Sequence, residues 1–126
     1  MSVESVALKF VELCNQGKHF EVMRTMYAPG MVSVEGDGRE FVGKEVVIHK
    51  SEVFQGNNDI LSQDLRGPFL LGDLNASSGR FAVYTSIDFA PKAGGDRVTH
   101  DEVGLYTVKN DTITREEFFY NDMPFV

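Results

Sequence analysis

A chain of 126 residues fits one domain, and a 42% hydrophobic, 11% aromatic composition with ten Phe supplies enough apolar material for a real core. A formal net charge of −7, with a pI near 4.8, argues against a nucleic-acid or membrane-surface partner, because phosphate binding needs clustered Lys and Arg. Cys14 is the sole cysteine, which excludes a disulfide framework and a cysteine-rich metal site.

In chain order, the first half predicts helices. Val3, Val6, Ala7, Phe10, Val11 and Cys14 recur at amphipathic-helix spacing, with Ser2 able to cap the start and Gly17 to end it. A second helix is expected over residues 20–27, burying Phe20, Met23, Met26 and Tyr27, and stopping at Ala28-Pro29-Gly30. A short strand over 31–35 then delivers Glu35 to the turn Gly36-Asp37-Gly38. A third helix follows over 44–55, with Val46, Val47, Val53 and Phe54 on its inner side.

The second half predicts strands. Residues 61–74 read as one long strand interrupted at Gly67-Pro68, an expected bulge or edge position. Phe81, Val83, Thr85, Ile87 and Phe89 alternate onto one face of the next. A Gly-rich turn leads to a strand over 98–108, and Lys109-Asn110-Asp111-Thr112 turns the chain into a last strand over 113–121. The order α-α-β-α-β-β-β-β segregates helices from strands, which implies an α+β domain over residues 1–126 with a mostly antiparallel sheet. Met-Ser-Val-Glu-Ser at the start lacks the regions of a signal peptide, and no apolar run approaches a membrane span. A soluble, cytoplasmic protein is expected.

Four local patterns extend this reading: Asn15-Gln16-Gly17-Lys18 before the second helix, Met26-Tyr27-Ala28 before the first strand, Phe41-Val42-Gly43-Lys44 opening the third helix, and Thr112-Ile113 leading into a carboxylate-bearing aromatic strand. In order and spacing the chain resembles the nuclear transport factor 2-like superfamily, in its SnoaL-like and ketosteroid-isomerase-like branches. The resemblance implies a conical fold, in which a curved sheet and three helices enclose one apolar pocket, and homodimers formed through the outer face of the sheet. Function varies widely on this fold, so the chemistry has to be argued from the site.

Glu35 falls where the resemblance places a proton-shuttling carboxylate. The oxyanion-hole tyrosine of ketosteroid isomerases maps to Phe10, however, and their protonated aspartate to Gly104. Steroid-type isomerisation is therefore not expected, because donors aimed at the developing oxyanion carry the largest catalytic effect. On the strand over 98–108, one face carries His100, Glu102, Gly104 and Tyr106, and the other Thr99, Asp101, Val103 and Leu105. Amphipathicity favours the second set as the inner face. The resemblance turns the first set to the pocket, which brings His100 and Glu102 near it and leaves room for ligand at Gly104.

Period-2 alternation in the last strand separates Glu116, Phe118 and Tyr120 from Arg115, Glu117 and Phe119. Glu116 and Tyr120 are expected in the cavity, and Arg115 and Glu117 in outer pairs. A carboxylate in an aromatic strand is costly to bury unless it is hydrogen-bonded or functional. The candidate catalytic residues are therefore Glu116, Glu35, His100 and Tyr120, and the candidate ligand-binding residues Phe10, Tyr27, Phe54, Thr85, Glu102, Tyr106 and Phe118. No metal or cofactor is implied. Three readings stand: a cofactor-independent isomerase, cyclase or dehydratase acting on a small hydrophobic carbonyl or polyketide-like substrate, a non-catalytic binder of an apolar ligand, and a dimeric interaction domain.

Overall fold

Helix α1 (Val3–Asn15) starts where Ser2 accepts from the Ser5 backbone N–H and the Ser5 side chain answers the Ser2 backbone, a reciprocal cap that fixes the first turn. The computed structural model describes residues 2–73 and 75–120. Helix α2 (His19–Met26) ends one residue before the expected stop. Tyr27 is already extended and opens β1 (Tyr27–Val34). Ala28-Pro29-Gly30 thus lies inside a strand rather than after a helix. Proline is tolerated there because pairing with the neighbouring strand is interrupted between Tyr27 and Val32, so no ladder donor is missed.

A three-residue strand, β2 (Glu40–Val42), hairpins onto β1 and was not foreseen, being too short to show a period. Then come α3 (Lys44–Asn57), β3 (Asn58–Leu71), β4 (Gly79–Pro91), β5 (Val98–Lys109) and β6 (Thr112–Phe119). Leu74 and Asn121, the expected ends of two strands, lie outside the described residues. Asn110 and Asp111 both have positive φ, as the tight β5–β6 turn requires.

The fold class is α+β, as the order of elements implied. Six strands form one curved sheet in the order β2-β1-β6-β5-β4-β3, antiparallel throughout except for the parallel β1–β6 pair. The expected interruption at Gly67-Pro68 is present as a register shift between Arg66 and Phe69. The helices cover the inner face of the sheet. Phe10 on α1 meets Phe81 on β4 and Tyr106 on β5 at ring separations of 5.5 and 4.5 Å, joining helix to sheet. Asn15 closes the other end of α1, its side chain accepting from the Leu65 backbone N–H and donating to the Leu65 carbonyl.

The face ambiguity of β5 is resolved in favour of the polar set. His100, Gly104, Tyr106 and Val108 are buried and Glu102 is mostly buried, whereas Val103 is exposed on the outer side. Local amphipathicity misleads here because the outer face is itself partly apolar. Phe69, Val103 and Phe119 are exposed on it, and Arg115 pairs with Glu117 there at 3.0 Å. On β6 the register slips between Arg115 and Ile113, so that Ile113 and Glu116 both face inward although they are three residues apart.

Candidate functional site

Between the three helices and the inner face lies a cavity of about 1120 Å³. Its walls are apolar: Phe10 from α1, Phe20 and Met23 from α2, Val46, Val53 and Phe54 from α3, and Leu65, Ile87, Phe89 and Phe118 from the sheet. Val46 and Val53 are each about half exposed (47% and 48%), so α3 presents a loosely covered apolar edge at the opening. Such a side chain would be poorly placed on a closed core, but it suits the rim of a ligand cavity.

The polar groups converge where β1 and β6 run side by side. Ser33 is in register with Glu116, so the parallel pairing itself brings the hydroxyl to the carboxyl. Glu116 is 3% exposed. Its Oε1 accepts a short hydrogen bond from the Tyr27 hydroxyl, and Ser33 bonds the same carboxyl. Lys50 reaches in from α3, donating to Ser33 Oγ at 2.8 Å and to Glu35 Oε1 at 2.5 Å. Its ammonium also lies 4.8 Å from the Phe41 ring centre and 5.5 Å from that of Phe118, which screens it from water. Tyr120 donates to the other Glu35 oxygen at 2.7 Å.

Burial raises the Glu116 pKa above its ordinary value, and the Glu102 charge adds to the rise. Lys50 and the hydrogen bonds from Tyr27 and Ser33 pull the other way without cancelling it. The neutral acid and the carboxylate are thereby brought closer in energy than in water. Burial, and then the Glu116 charge, push the Cys14 thiol up to about 12, so this cavity-lining cysteine stays protonated and is no nucleophile.

Phe10, Tyr27, Phe54, Thr85, Glu102, Tyr106 and Phe118 all line the cavity, together with Glu35 and Glu116. His100 and Tyr120 stand one layer back. His100 Nε2 is 3.1 Å from Glu102 Oε1, and its ring meets the Tyr120 ring edge-on at 5.1 Å. The space expected above Gly104 is taken by the chain itself, since the Tyr106 ring folds back over that residue. Lys50 and Ser33 escaped sequence reasoning. A lysine on a helix and a serine in a short strand look solvated, and only the in-register pairing of Ser33 with Glu116 betrays them.

A family model described as the SnoaL-like domain matches residues 1–120. The chain belongs to the SnoaL-like family. No curated protein matches its sequence. Among solved structures, a SnoaL-like polyketide cyclase from Mesorhizobium loti shares 38% identity over 95% of this chain and 100% of that one, with a TM-score of 0.85. A polyketide cyclase from Pseudomonas putida is 13% identical over 96% and 92% of the two chains at a TM-score of 0.74. An isomerase from Bacillus subtilis is 12% identical over 93% and 84% at 0.67. At such identities the last two are alike in fold alone. The SnoaL-like fold is that of a small-molecule-binding domain, and the wide apolar cavity with its buried acid is the feature on which any chemistry has to rest.

Proposed function

We propose that this SnoaL-like domain binds a small hydrophobic carbonyl compound and moves a proton at the carbon beside the carbonyl, without a cofactor. The observation that carries this reading is Glu116, a carboxyl group buried at the floor of an apolar cavity, with a raised pKa and two hydroxyl groups holding it in place. A proton carrier works best when its pKa lies near the working pH, and burial is the usual means of bringing a carboxyl there. Glu35 has a different part. Tied to Lys50 and Tyr120, it anchors the ammonium whose field offsets the cost of an ionised Glu116. Isomerisation, cyclisation and dehydration share this first proton removal and part afterwards, when the enolate takes the proton back at another carbon, attacks a second carbonyl group, or expels a β-hydroxyl group that leaves as water with the proton from Glu116. A cavity of this size accommodates a fused-ring or extended polyketide-like molecule.

The test is α-proton exchange. With 2-acetylnaphthalene in D₂O, loss of the methyl signal in proton NMR is expected to run faster with protein than in buffer. A ketone that binds without any faster exchange would leave plain apolar binding, which the phenylalanine-rich walls also support, and would sink the catalytic reading.

For the outer face of the sheet we propose a second copy of the chain. Phe69, Val103 and Phe119 are exposed there beside Arg66 with Asp64 and Arg115 with Glu117, so one patch carries apolar groups and both charges, as a two-fold contact needs. Light scattering after gel filtration is expected to give twice the chain mass for the native protein and the single-chain mass for Phe119→Asp. A native protein of single-chain mass would refute the contact.

A further inference from the structure

The proton-transfer reading leaves one chemical need unmet. Removing a proton beside a carbonyl puts negative charge on the carbonyl oxygen, and the barrier stays high unless a donor is already aimed there. The ammonium and hydroxyl groups gathered around Glu116 and Glu35 are engaged. Lys50 donates to Ser33 and Glu35, Tyr27 to Glu116, and Tyr120 to Glu35.

Tyr106 is the exception among the inner-facing tyrosines. It lines the cavity, yet its hydroxyl makes no hydrogen bond to any described residue. Buried phenols ordinarily find a partner, so an unengaged one beside a ligand cavity calls for an explanation. Its position is fixed on every side. The ring stacks on Phe81 at 5.0 Å and 16°, tilts against Phe10 at 4.5 Å, and meets Phe118 edge-on at 6.4 Å. It leans over Gly104 so closely that a Cβ there would sit 2.7 Å from the hydroxyl oxygen. Tyr106 and Glu116 are direct partners across β5 and β6, so their side chains leave neighbouring strands on the same, inner face. Burial and the charges of Glu116 and Glu102 hold the phenol pKa well above its ordinary value, so it is a neutral donor at any working pH.

We propose that the Tyr106 hydroxyl donates the hydrogen bond that receives the substrate's carbonyl oxygen, making Tyr106 a catalytic residue opposite Glu116. The inference rests on the proton-transfer reading for its catalytic part and on geometry alone for its binding part. In the step, the Glu116 carboxylate takes the proton from the carbon beside the carbonyl. The C–H electron pair becomes the new C–C π bond, and the carbonyl π pair moves onto oxygen. Tyr106 keeps its proton and shares it with that oxygen. Glu116, now neutral, returns its proton to the same or another carbon, so nothing is consumed. Gly104 is required because any side chain there would displace the phenol.

The experiment uses 2-acetylnaphthalene labelled with ¹³C at the carbonyl, bound to the full chain and read by infrared difference spectroscopy. The carbonyl stretch is expected at lower frequency in the native protein than in hydrocarbon solvent. In Tyr106→Phe it is expected to return to the solvent value, with binding weakened roughly threefold to tenfold, the effect of one neutral hydrogen bond. The same variant should keep its melting temperature, since the aromatic stack is preserved and no protein hydrogen bond is lost. Its α-proton exchange should fall by about 10²–10³. Thr85→Val, which removes the other hydroxyl of that wall, should leave the band in place. An unshifted band in the native protein, a shifted band that survives Tyr106→Phe, a shift lost only in Thr85→Val, or a ketone that does not bind would overturn the proposal. A band that behaves as expected without any exchange in the native protein would uphold the donor and refute the proton transfer alone.

Discussion

Replacing Glu116 by Gln is expected to lower α-proton exchange by about 10²–10⁴, the usual contribution of a positioned acid–base group, while leaving ketone binding nearly intact. The substitution keeps the shape and the ability to bond Tyr27, and removes the capacity to ionise, and with it the capacity to take up and return a proton. It should also change how stability depends on pH. Burial raises the Glu116 pKa above its ordinary value, so the folded chain holds this proton more tightly than the unfolded chain. That contribution is fully present below the unfolded value and is lost as pH rises through the folded one. Melting temperatures of native protein and Glu116→Gln, compared between pH 4.5 and 8, should therefore diverge with rising pH, the native protein falling behind. A constant difference across that range would show that Glu116 is not held in a desolvating site, and the proposed proton carrier would go with it.

The larger effect on stability is expected from Lys50→Met. Lys50 and Glu35 form an ion pair with side chains only 15% and 6% exposed, and Lys50 is also the main attraction opposing the desolvation of Glu116. Removing one partner of a buried pair strands the other, at a cost of about 3–5 kcal/mol. For a domain of this size that amounts to a fall of roughly 10 °C or more in melting temperature near neutral pH. The loss should shrink toward acid, because Glu116 then takes its proton and no longer needs the ammonium. The double variant Glu35→Gln with Lys50→Met should recover much of the loss, since it leaves no unpaired charge on Glu35. Equal instability of the single and double variants would mean that Lys50 acts through packing on Phe41 and Phe118 instead.

How much of this was legible in the sequence depends on the range of the interaction that decides each feature. α1 was readable because helical spacing and the Ser2 cap are local, and β4 because its alternation is clean over nine residues. The turn at Asn110-Asp111 was readable for the same reason. The inner face of β5 was not, by pattern alone. Val103 and Leu105 look like core residues, and only the three-dimensional curvature decides that Gly104 and Tyr106 face inward. Glu116 stood out as a carboxylate among aromatics. Its tuning partners did not, because Lys50 and Ser33 come from a helix face and a parallel strand that nothing local links to β6. Gly104 was read as vacancy above the strand. In the structure it permits a close approach by Tyr106, two residues on in the same strand, which no periodicity predicts.

The parallel pairing of β1 with β6 has a consequence in time as well as in space. Tyr27 and Glu116 are 89 residues apart, and Glu35 and Tyr120 are 85 apart, yet each pair shares a hydrogen bond. A chain emerging from the ribosome can form α1, α2 and the β3–β4 and β4–β5 hairpins while β6 is still being made, because those contacts are closer in sequence. The acid, its hydroxyl partners and the donor opposite it come together only when the last strand slots between β1 and β5. Ligand therefore cannot template the early stages of folding. It can only hold closed a seam that the final strand has already sealed, and truncation within β6 would remove the chemistry before it removed the helices.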